Sequence, residues 1–197
     1  MAGAGALWLS FLVPFAPANA LVKSGATLQD SAEPVLRDCG SSVYGSLGEW
    51  QPDSILAGPL GFVRARAYER SRSPYLRSVG NGRYEGLKLL TVVQTGWKAR
   101  IVVPPHLRSR VALIQDPASF NLPVVPSQGV HDVTLTACPP GQPLLGPKAQ
   151  AWTQFNGEIV VAGRRCVSLY VYAAKQGDQL PSRPVQVRLA FGTSCPR

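Results

Sequence analysis

Alternating arginines and a tyrosine are the feature of this sequence that points most directly to chemistry. Arg64, Arg66 and Tyr68 occupy every second position, which would place them on one face of a β-strand. Guanidinium groups attract anions, and tyrosine rings offer flat faces for stacking. More side chains of both kinds follow in the next loop and on a later strand, namely Arg70, Arg72, Tyr75, Arg77, Tyr170 and Tyr172.

A surface with these cations and stacking faces would suit an acidic sugar polymer. The alternative is that outward-facing Arg and Tyr side chains only solvate an exposed sheet, as such positions commonly require. The tryptophans Trp50, Trp97 and Trp152 are expected in the core or packed on turns, and not as a sugar platform. The predicted ligand-binding residues are Arg64, Arg66, Tyr68, Arg70, Arg72, Tyr170 and Tyr172.

Residues for nucleophilic or acid–base catalysis are not recognisable in the sequence. The two histidines, His106 and His131, lie outside any triad context, and no Gly-x-Ser-x-Gly elbow occurs. Both are therefore expected at the surface. The 11 acidic residues are scattered, although two carboxylates could still meet in the fold as they do in glycosidases. We predict no catalytic residues, with an envelope-acting hydrolase as the alternative.

Metal and cofactor sites are not predicted either. Zinc or copper requires clustered His, Cys or Met, whereas this chain has two separated histidines and a single Met at its start. Calcium requires several acidic oxygens close together in the sequence. The sequence also lacks a glycine-rich phosphate loop before a helix. We therefore expect no metal and no cofactor.

The N-terminal segment predicts export. Residues 1–20 carry no charged side chain and end in Ala18-Asn19-Ala20, a small-residue cleavage site. A retained N-terminal anchor and a misassigned start codon remain as alternatives, because no basic residue precedes the apolar run. Pro14 and Pro17 would interrupt a membrane helix and favour a cleaved signal peptide. We expect the remaining chain to be secreted or associated with the cell envelope.

Four cysteines, Cys39, Cys138, Cys166 and Cys195, follow this segment. An even number in an exported chain predicts two disulfides, for which three pairings are possible. The preferred pairing joins Cys138 to Cys166, between two strands, and Cys39 to Cys195, across the ends of the domain. Such bridges would staple the domain in an oxidising compartment.

Short segments with alternating apolar residues predict an all-β fold. The pattern is clear in 133–137, 167–172 and 185–191, where one face of each strand would be buried. Two hairpins are predicted, one joining 88–94 to 98–103 and one joining 158–162 to the strand that begins at Cys166. Seven or eight such strands without an amphipathic helix predict a disulfide-stapled antiparallel β-sandwich.

Several segments around the cysteines resemble one family of exported actinobacterial proteins. They are Val133–Pro139 (VTLTACP), Thr153–Leu169 (TQFNGEIVVAGRRCVSL) and Phe191–Pro196 (FGTSCP), with weaker agreement at Ala57–Leu60 and Ile101–Pro105. The match runs from about Cys39 to the end, and the sequence departs from it at Glu158, where the family pattern has a second glycine. The resemblance implies an exported β-domain and brings no known chemistry.

These observations predict three segments: a signal peptide or anchor at 1–20, a linker at 21–38 and a β-sandwich domain at 39–197. The net charge of +9 lies wholly outside residues 1–20 and favours polyanionic partners. We predict a non-catalytic binding or structural module at the cell envelope, with a membrane-tethered interaction domain as a further alternative. The expected partner is an anionic cell-wall polymer or an envelope protein. Nucleic acid is not expected, and membrane contact requires that residues 1–20 are retained.

Overall fold

The computed structural model describes residues 34–69, 76–79, 84–115, 125–141 and 151–196. These residues form short strands and 3₁₀ helices, and no α-helix occurs among them. The 3₁₀ helices span Cys39–Ser41, Ala65–Glu69, Pro105–Leu107 and Pro126–Gln128. The strands are β1 (Val35–Arg37), β2 (Ile55–Ala57), β3 (Leu60–Phe62), β4 (Leu76–Val79), β5 (Tyr84–Lys88), β6 (Thr91–Gln94), β7 (Trp97–Val102), β8 (Val111–Ile114), β9 (Asp132–Thr136), β10 (Trp152–Phe155), β11 (Glu158–Val161), β12 (Arg165–Lys175) and β13 (Val185–Phe191).

The strands form three sheets. Sheet A has the order β1-β9-β7-β12-β13, sheet B the order β10-β6-β3-β2, and sheet C the order β4-β5-β11-β8. All pairs are antiparallel except β1 with β9, which run parallel. The predicted all-β sandwich is confirmed. It contains more strands than the expected seven or eight, because several apolar runs are divided between sheets.

Sheets B and C are joined by two bent segments. The β6–β10 ladder ends where Thr91 pairs with Phe155, and the β5–β11 ladder begins where Lys88 pairs with Glu158. Between these pairs the Leu89 N–H donates to the Gly157 carbonyl at 2.8 Å. The β6–β10 and β5–β11 ladders are thus continuous through one bend, and sheets B and C can both cover the same face of sheet A.

One hydrophobic core lies between sheet A and the two smaller sheets. Its members include Ile101 and Leu169 from sheet A, Phe62 and Phe155 from sheet B, and Ile159 from sheet C. Alternate residues of β9 and β12 enter this core, as the two-residue period predicts. Each fully buried side chain of this size contributes about 1.5–3 kcal/mol by leaving water.

A second, smaller apolar cluster lies on the outer face of sheet B. Trp50, Val63 and Val92 are its buried members, and Leu47, Leu90 and Trp152 pack against them. The Trp50 and Trp152 rings meet edge to face, with centroids 5.3 Å apart. The segment 44–52 therefore covers part of sheet B, which explains why Val92 is fully buried although it faces away from the main core.

Gly61 leaves the space that Trp50 occupies, and replacing it with alanine is expected to destabilise the fold. A Cβ atom at Gly61 would lie 2.9 Å from Trp50 Cζ3 and 2.9 Å from Leu56 Cδ2. Such overpacking typically costs about 1–3 kcal/mol of unfolding free energy. Urea unfolding of Gly61→Ala, followed by tryptophan fluorescence, measures this loss.

Gly45→Ala is the matched control for that experiment. A Cβ atom at Gly45 would meet only Gln154 Oε1, at the ordinary distance of 3.7 Å. We expect its unfolding free energy to stay within about 0.5 kcal/mol of the parent. Equal losses for the two variants would show that the Trp50 packing does not determine the requirement for glycine at position 61.

The two predicted hairpins are wrong, although their segments do form strands. β6 pairs with β3 and β10 in sheet B, whereas β7 pairs with β9 and β12 in sheet A. The turn at Gly96 carries the chain from one sheet to the other, and the Gly96 N–H donates to the Cys138 carbonyl at 2.9 Å. Likewise β11 belongs to sheet C and β12 to sheet A, with Gly163 in the connection.

The predicted strand over 61–68 is also wrong beyond Phe62. Residues Ala65–Glu69 form a 3₁₀ helix. In a 3₁₀ helix side chains three positions apart share a face, so Ala65 and Tyr68 are both buried, at 2% and 5% exposure. Tyr68 therefore points away from the exposed Arg66 and does not share a face with it.

The disulfide pairing differs from the preferred prediction. The bridges join Cys39 to Cys138 and Cys166 to Cys195, with Cα atoms 4.6 Å and 5.0 Å apart. Cys39 follows β1 and Cys138 follows β9, so the parallel pairing of these strands brings the two cysteines together. Cys166 opposes Ala190 in the β12–β13 ladder, close to the point where the chain returns to Cys195.

The end of the segment 21–38, which the sequence analysis predicts to be a linker, takes part in sheet A. Residues 35–37, which the prediction assigned to a linker, form β1 and pair with β9. Arg37 is only 4% exposed and anchors this strand, since its Nη1 donates to the Asn156 carbonyl at 2.5 Å. A three-residue strand held by one buried cation has too little apolar alternation to be recognised as a strand.

Candidate functional site

An open cavity of about 330 Å³ lies on the outer face of sheet B, beside the segment 44–52. Its apolar wall belongs to the smaller cluster and is formed by Leu47, Val63 and Leu90. Two exposed cations, Arg64 and Lys88, stand at its edge. Ser46 and Tyr68 complete the lining. An apolar wall with a few polar groups is typical of a small-ligand site.

A network of backbone contacts fixes Arg64 at this position. Its N–H donates to Ser54 Oγ at 2.8 Å, and Ser54 Oγ donates to the Trp50 carbonyl. On the preceding residue, the Val63 N–H donates to the Leu90 carbonyl at 2.9 Å and extends the β3–β6 ladder. Ser54 is 3% exposed, so the connection is internal and resists rearrangement.

Arg64 has a left-handed backbone, with φ at 55°, and is the only non-glycine residue of the described chain in this region. A long side chain at positive φ costs about 1–2 kcal/mol relative to glycine, because its Cβ crowds the neighbouring carbonyl. Such strain concentrates at functional sites, where a particular side chain is needed in spite of the cost. The strained backbone therefore marks Arg64 as a candidate functional residue.

The Arg64 and Lys88 side chains have no hydrogen-bond or ion-pair partner within the described residues. By contrast, Arg66 donates from Nε to the Ser54 carbonyl at 3.1 Å. Two free cations beside an apolar wall attract an anion, and the partly enclosed setting strengthens that attraction relative to open water.

Two more cavities adjoin this one around the segment 44–52. The first measures about 330 Å³ and shares Ser46 and Leu47 with the Arg64 cavity. It is otherwise lined by Tyr44, Gly45, Ala151, Trp152 and Gln154. The second measures about 490 Å³, shares Trp152, and is lined by Gly48, Glu49, Trp50, Gln51 and Pro52. We call these three neighbouring cavities the track; its lining carries the cations Arg64 and Lys88 in the first cavity and the carboxylate Glu49 in the last.

The structure brings only part of the predicted binding cluster to this track. Arg64 and Tyr68 line the first cavity, with the Tyr68 hydroxyl donating to the Lys88 carbonyl at 3.3 Å. Arg66 faces a different cavity, of about 310 Å³, together with Glu69, Arg188 and the Cys195 bridge. Arg70, Arg72 and Tyr75 lie outside the described residues, and only the backbone of Arg77 is described, in β4.

Tyr170 and Tyr172 lie on the other side of the sandwich, on the outer face of sheet A. Tyr172 stands opposite Arg100 in the β7–β12 ladder. Arg100 is not a free cation, because its Nε donates to Asp132 Oδ1 at 2.9 Å and its Nη2 forms an ion pair with Oδ2 at 2.5 Å. The hydrogen bond that Arg100 donates to Asp132 raises the pKa of Arg100, which keeps the guanidinium charged. The predicted single surface is thus divided between two opposite faces.

The two histidines have different environments. His106 is exposed, as predicted, but His131 is 6% exposed and the surface prediction for it is wrong. His131 Nε2 lies 2.8 Å from the Pro126 carbonyl and 3.1 Å from the Arg108 carbonyl. Two carbonyl acceptors require a proton on Nε2, so this ring fastens the Pro126–Gln128 segment. It has a structural role.

A second cationic region lies at the corner between β8, β11 and β12. Burial, together with the positive charge of Arg110, lowers the pKa of Arg165. The Ala162 N–H donates to the Arg110 carbonyl at 2.8 Å, which holds this corner together. Neither Arg110 nor Arg165 lines one of the four cavities described in this section. They add to the general positive field, whereas the Arg64 track combines charge with shape.

Within the described ranges, no group of three or more His, Cys, Asp or Glu side chains is arranged to hold a metal ion. In the same part of the chain, no helix has the length and apolar character needed to cross a bilayer. Both cysteine pairs are oxidised, as is typical of proteins in oxidising, extracellular environments.

Comparisons of the chain with protein-family models, curated proteins and solved structures gave no match. The site therefore has to be interpreted from its own residues. Sequence reasoning identified Arg64 and Tyr68 but missed Tyr44, Lys88 and Leu90. These residues are far apart in the chain, and no local pattern connects them. Trp50 and Trp152 do pack in the protein, as the sequence analysis expected for tryptophans.

Proposed function

We propose that this protein is an exported, non-catalytic β-sandwich module that binds an anionic polymer of the cell envelope through the Arg64 cavity. The single observation that carries the proposal is the strained backbone of Arg64 at the edge of an apolar-walled cavity. Glycine would satisfy this turn at a lower cost in free energy. The presence of arginine instead of glycine at position 64 is explained when its guanidinium contacts a ligand.

The chemistry of the cavity selects an anion with an apolar face. Arg64 and Lys88 supply two charges without a described acidic partner, and Leu47, Val63 and Leu90 supply apolar contact. The cavity of about 330 Å³ is at the lower end of the range for ligand sites, about 300–1,000 Å³. A site of this size holds one repeat of a polymer and leaves the rest of the polymer outside.

Charge and disulfides support an envelope location for this ligand. The net charge of +9 steers the chain towards polyanions. Disulfides such as these two form and persist in oxidising compartments outside the cytoplasm, where anionic wall polymers also occur. A cleaved segment at residues 1–20 would deliver the chain to that compartment.

The distribution of carboxylates favours binding over hydrolysis. Glycosidases place two carboxyl groups about 5–10 Å apart at the scissile bond. Each of the four cavities described above is lined by at most one carboxylate, Glu49 in one and Glu69 in another. The track around 44–52 thus offers a ligand-binding surface without a carboxylate pair.

The test replaces each cation and measures binding of a defined carboxylated polysaccharide, polygalacturonate, to purified residues 21–197. We expect Arg64→Gly to weaken binding about tenfold or more, which corresponds to about 1.4 kcal/mol. Relief of the backbone strain should leave the unfolding free energy unchanged or raised by about 1 kcal/mol. Lys88→Gln should weaken binding similarly.

Arg183→Gln is the matched control, because Arg183 is exposed, lies outside the cavities described and carries the same charge. Its binding should change less than twofold at physiological salt, since exposed charges are screened within about 8 Å. Equal losses for Arg183→Gln and Arg64→Gly would overturn the proposal in favour of a diffuse electrostatic attraction. Binding to phosphatidylglycerol vesicles with none to polygalacturonate would overturn it in favour of a lipid surface.

A further inference from the structure

We infer that the cavity next to Arg64 is a stacking subsite for a sugar ring, so that the anionic ligand is a glycan. This inference rests on the proposed function and adds the class of ligand. The side chains that form the subsite include Tyr44, Trp152, Gln154 and Ser46. It touches the Arg64 cavity directly, because Ser46 and Leu47 line both.

The aromatic side chains of this subsite are available for stacking. Tyr44 is 52% exposed, so its ring face is accessible to a ligand. Trp152 is half-buried, and its edge-to-face contact with Trp50 at 5.3 Å fixes the orientation of its ring. A tyrosine or tryptophan provides a rigid apolar face with a polar end, which suits a sugar ring carrying hydroxyl groups.

Polar groups that could fix the orientation of a ring lie beside these aromatics. Gln154 is 3% exposed and donates from Nε2 to the Gly45 carbonyl at 2.6 Å. The Val43 N–H donates to the Gln154 carbonyl at 2.8 Å, so both ends of Gln154 hold the segment that carries Tyr44. The exposed Ser46 hydroxyl lies between the two cavities. This subsite is therefore preorganised and contains no charged side chain.

The charges along the track fix the direction of the ligand. The Arg64 end carries two cations, the Tyr44 subsite is neutral, and the next cavity contains Glu49. A negative group would be repelled by Glu49 and attracted by Arg64 and Lys88. The ligand therefore places an anionic group at the Arg64 end and the apolar face of a sugar ring on Tyr44 and Trp152. Polyglutamate and polyphosphate chains lack such a ring.

The test compares two probes of the same charge, a hexamer of galacturonic acid and a hexamer of glutamic acid. The parent protein should bind the sugar hexamer at least tenfold more tightly than the peptide. Tyr44→Ala should weaken sugar binding about tenfold and peptide binding less than twofold. Tyr44→Phe, which keeps the ring, should retain at least half of the parent affinity for the sugar. Dissociation constants from calorimetry measure all of these values.

The possible outcomes separate this inference from the proposed function. If Tyr44→Ala weakens binding of both probes equally, or of neither, while Arg64→Gly still weakens binding about tenfold or more, the stacking subsite is overturned and the anion site stands. If the parent protein binds neither probe, the proposed function itself fails. Tyr44 is exposed and outside any strand, so loss of folding is not expected in these variants, and circular dichroism checks this.

Discussion

Replacing both Cys39 and Cys138 with serine is expected to lower the unfolding free energy by about 4.7 kcal/mol. The bridge closes a loop with a sequence separation of 99 residues, and the entropy that it removes from the unfolded chain grows with loop length. The Cys166–Cys195 bridge spans 29 residues and should contribute about 3.6 kcal/mol on the same basis. Urea unfolding of the two double variants compares these losses.

Each variant serves as the control for the other, because both keep one bridge and lose two sulfur atoms. Peptide mapping without reduction should recover the remaining bridge intact. A loss for the Cys166–Cys195 variant equal to or greater than that for the Cys39–Cys138 variant would contradict the dependence on loop length. A peptide linking Cys39 to Cys195 in the parent protein would contradict the observed pairing.

The fold class and most strand positions follow from local patterns in the sequence. Residues 133–137 and 167–172 alternate in burial as predicted, since one face of sheet A packs on the core. The segments 91–94 and 158–161 differ, because nearly every residue in them is buried. A continuous apolar run is typical of a strand covered on both faces. The continuous apolar runs at 91–94 and 158–161 thus differ from the alternating strands β7 and β12 that follow them in the chain. This difference in pattern agrees with their placement in different sheets.

Connections between sheets could not be distinguished from hairpins by local residues. Gly96 and Gly163 both have positive φ, as glycines in tight hairpins do, yet each carries the chain to a different sheet. The partner of a strand is decided by contacts far along the chain, such as β7 with β12. The disulfide pairing depends on the same long-range order. Cys39 meets Cys138 because β1 lies beside β9, and no spacing rule encodes that neighbour.

The candidate site shows a similar division between local and long-range information. The residue types at Arg64 and Tyr68 indicated binding, but the alternation that joined them to a strand was accidental. The site arises where the segment around Ser46 meets the turn at Arg64 and the bend after Lys88. Its distinguishing feature is a backbone angle, and a positive φ at an arginine leaves no mark in the sequence.

Apart from the two disulfides, the network around Arg37 is expected to have the largest effect on stability. Arg37 is 4% exposed and its guanidinium donates to Asn156 O at 2.5 Å, to Asn156 Oδ1 at 3.2 Å and to the Ser41 carbonyl. Its Cζ also lies 5.4 Å from the centre of the Phe155 ring. Arg37→Met removes these donors from at least two part-buried carbonyls, at about 1–3 kcal/mol each. We expect a loss of about 3 kcal/mol in urea unfolding.

Arg100→Met is the matched control, since Arg100 also forms two hydrogen bonds but its side chain is 41% exposed. Exposed ion pairs contribute about 0.2–1 kcal/mol, so this variant should lose much less. The unfolding free energy of Arg37→Lys should fall between those of the parent and Arg37→Met. Lysine restores the charge, but its single ammonium group cannot donate to both Asn156 and Ser41 as the planar guanidinium does. Equal losses for Arg37→Met and Arg100→Met would show that β1 is held by its ladder and not by the buried cation. In that case hydrogen exchange at residues 35–37 should be unaffected by Arg37→Met, whereas anchoring by Arg37 requires faster exchange there.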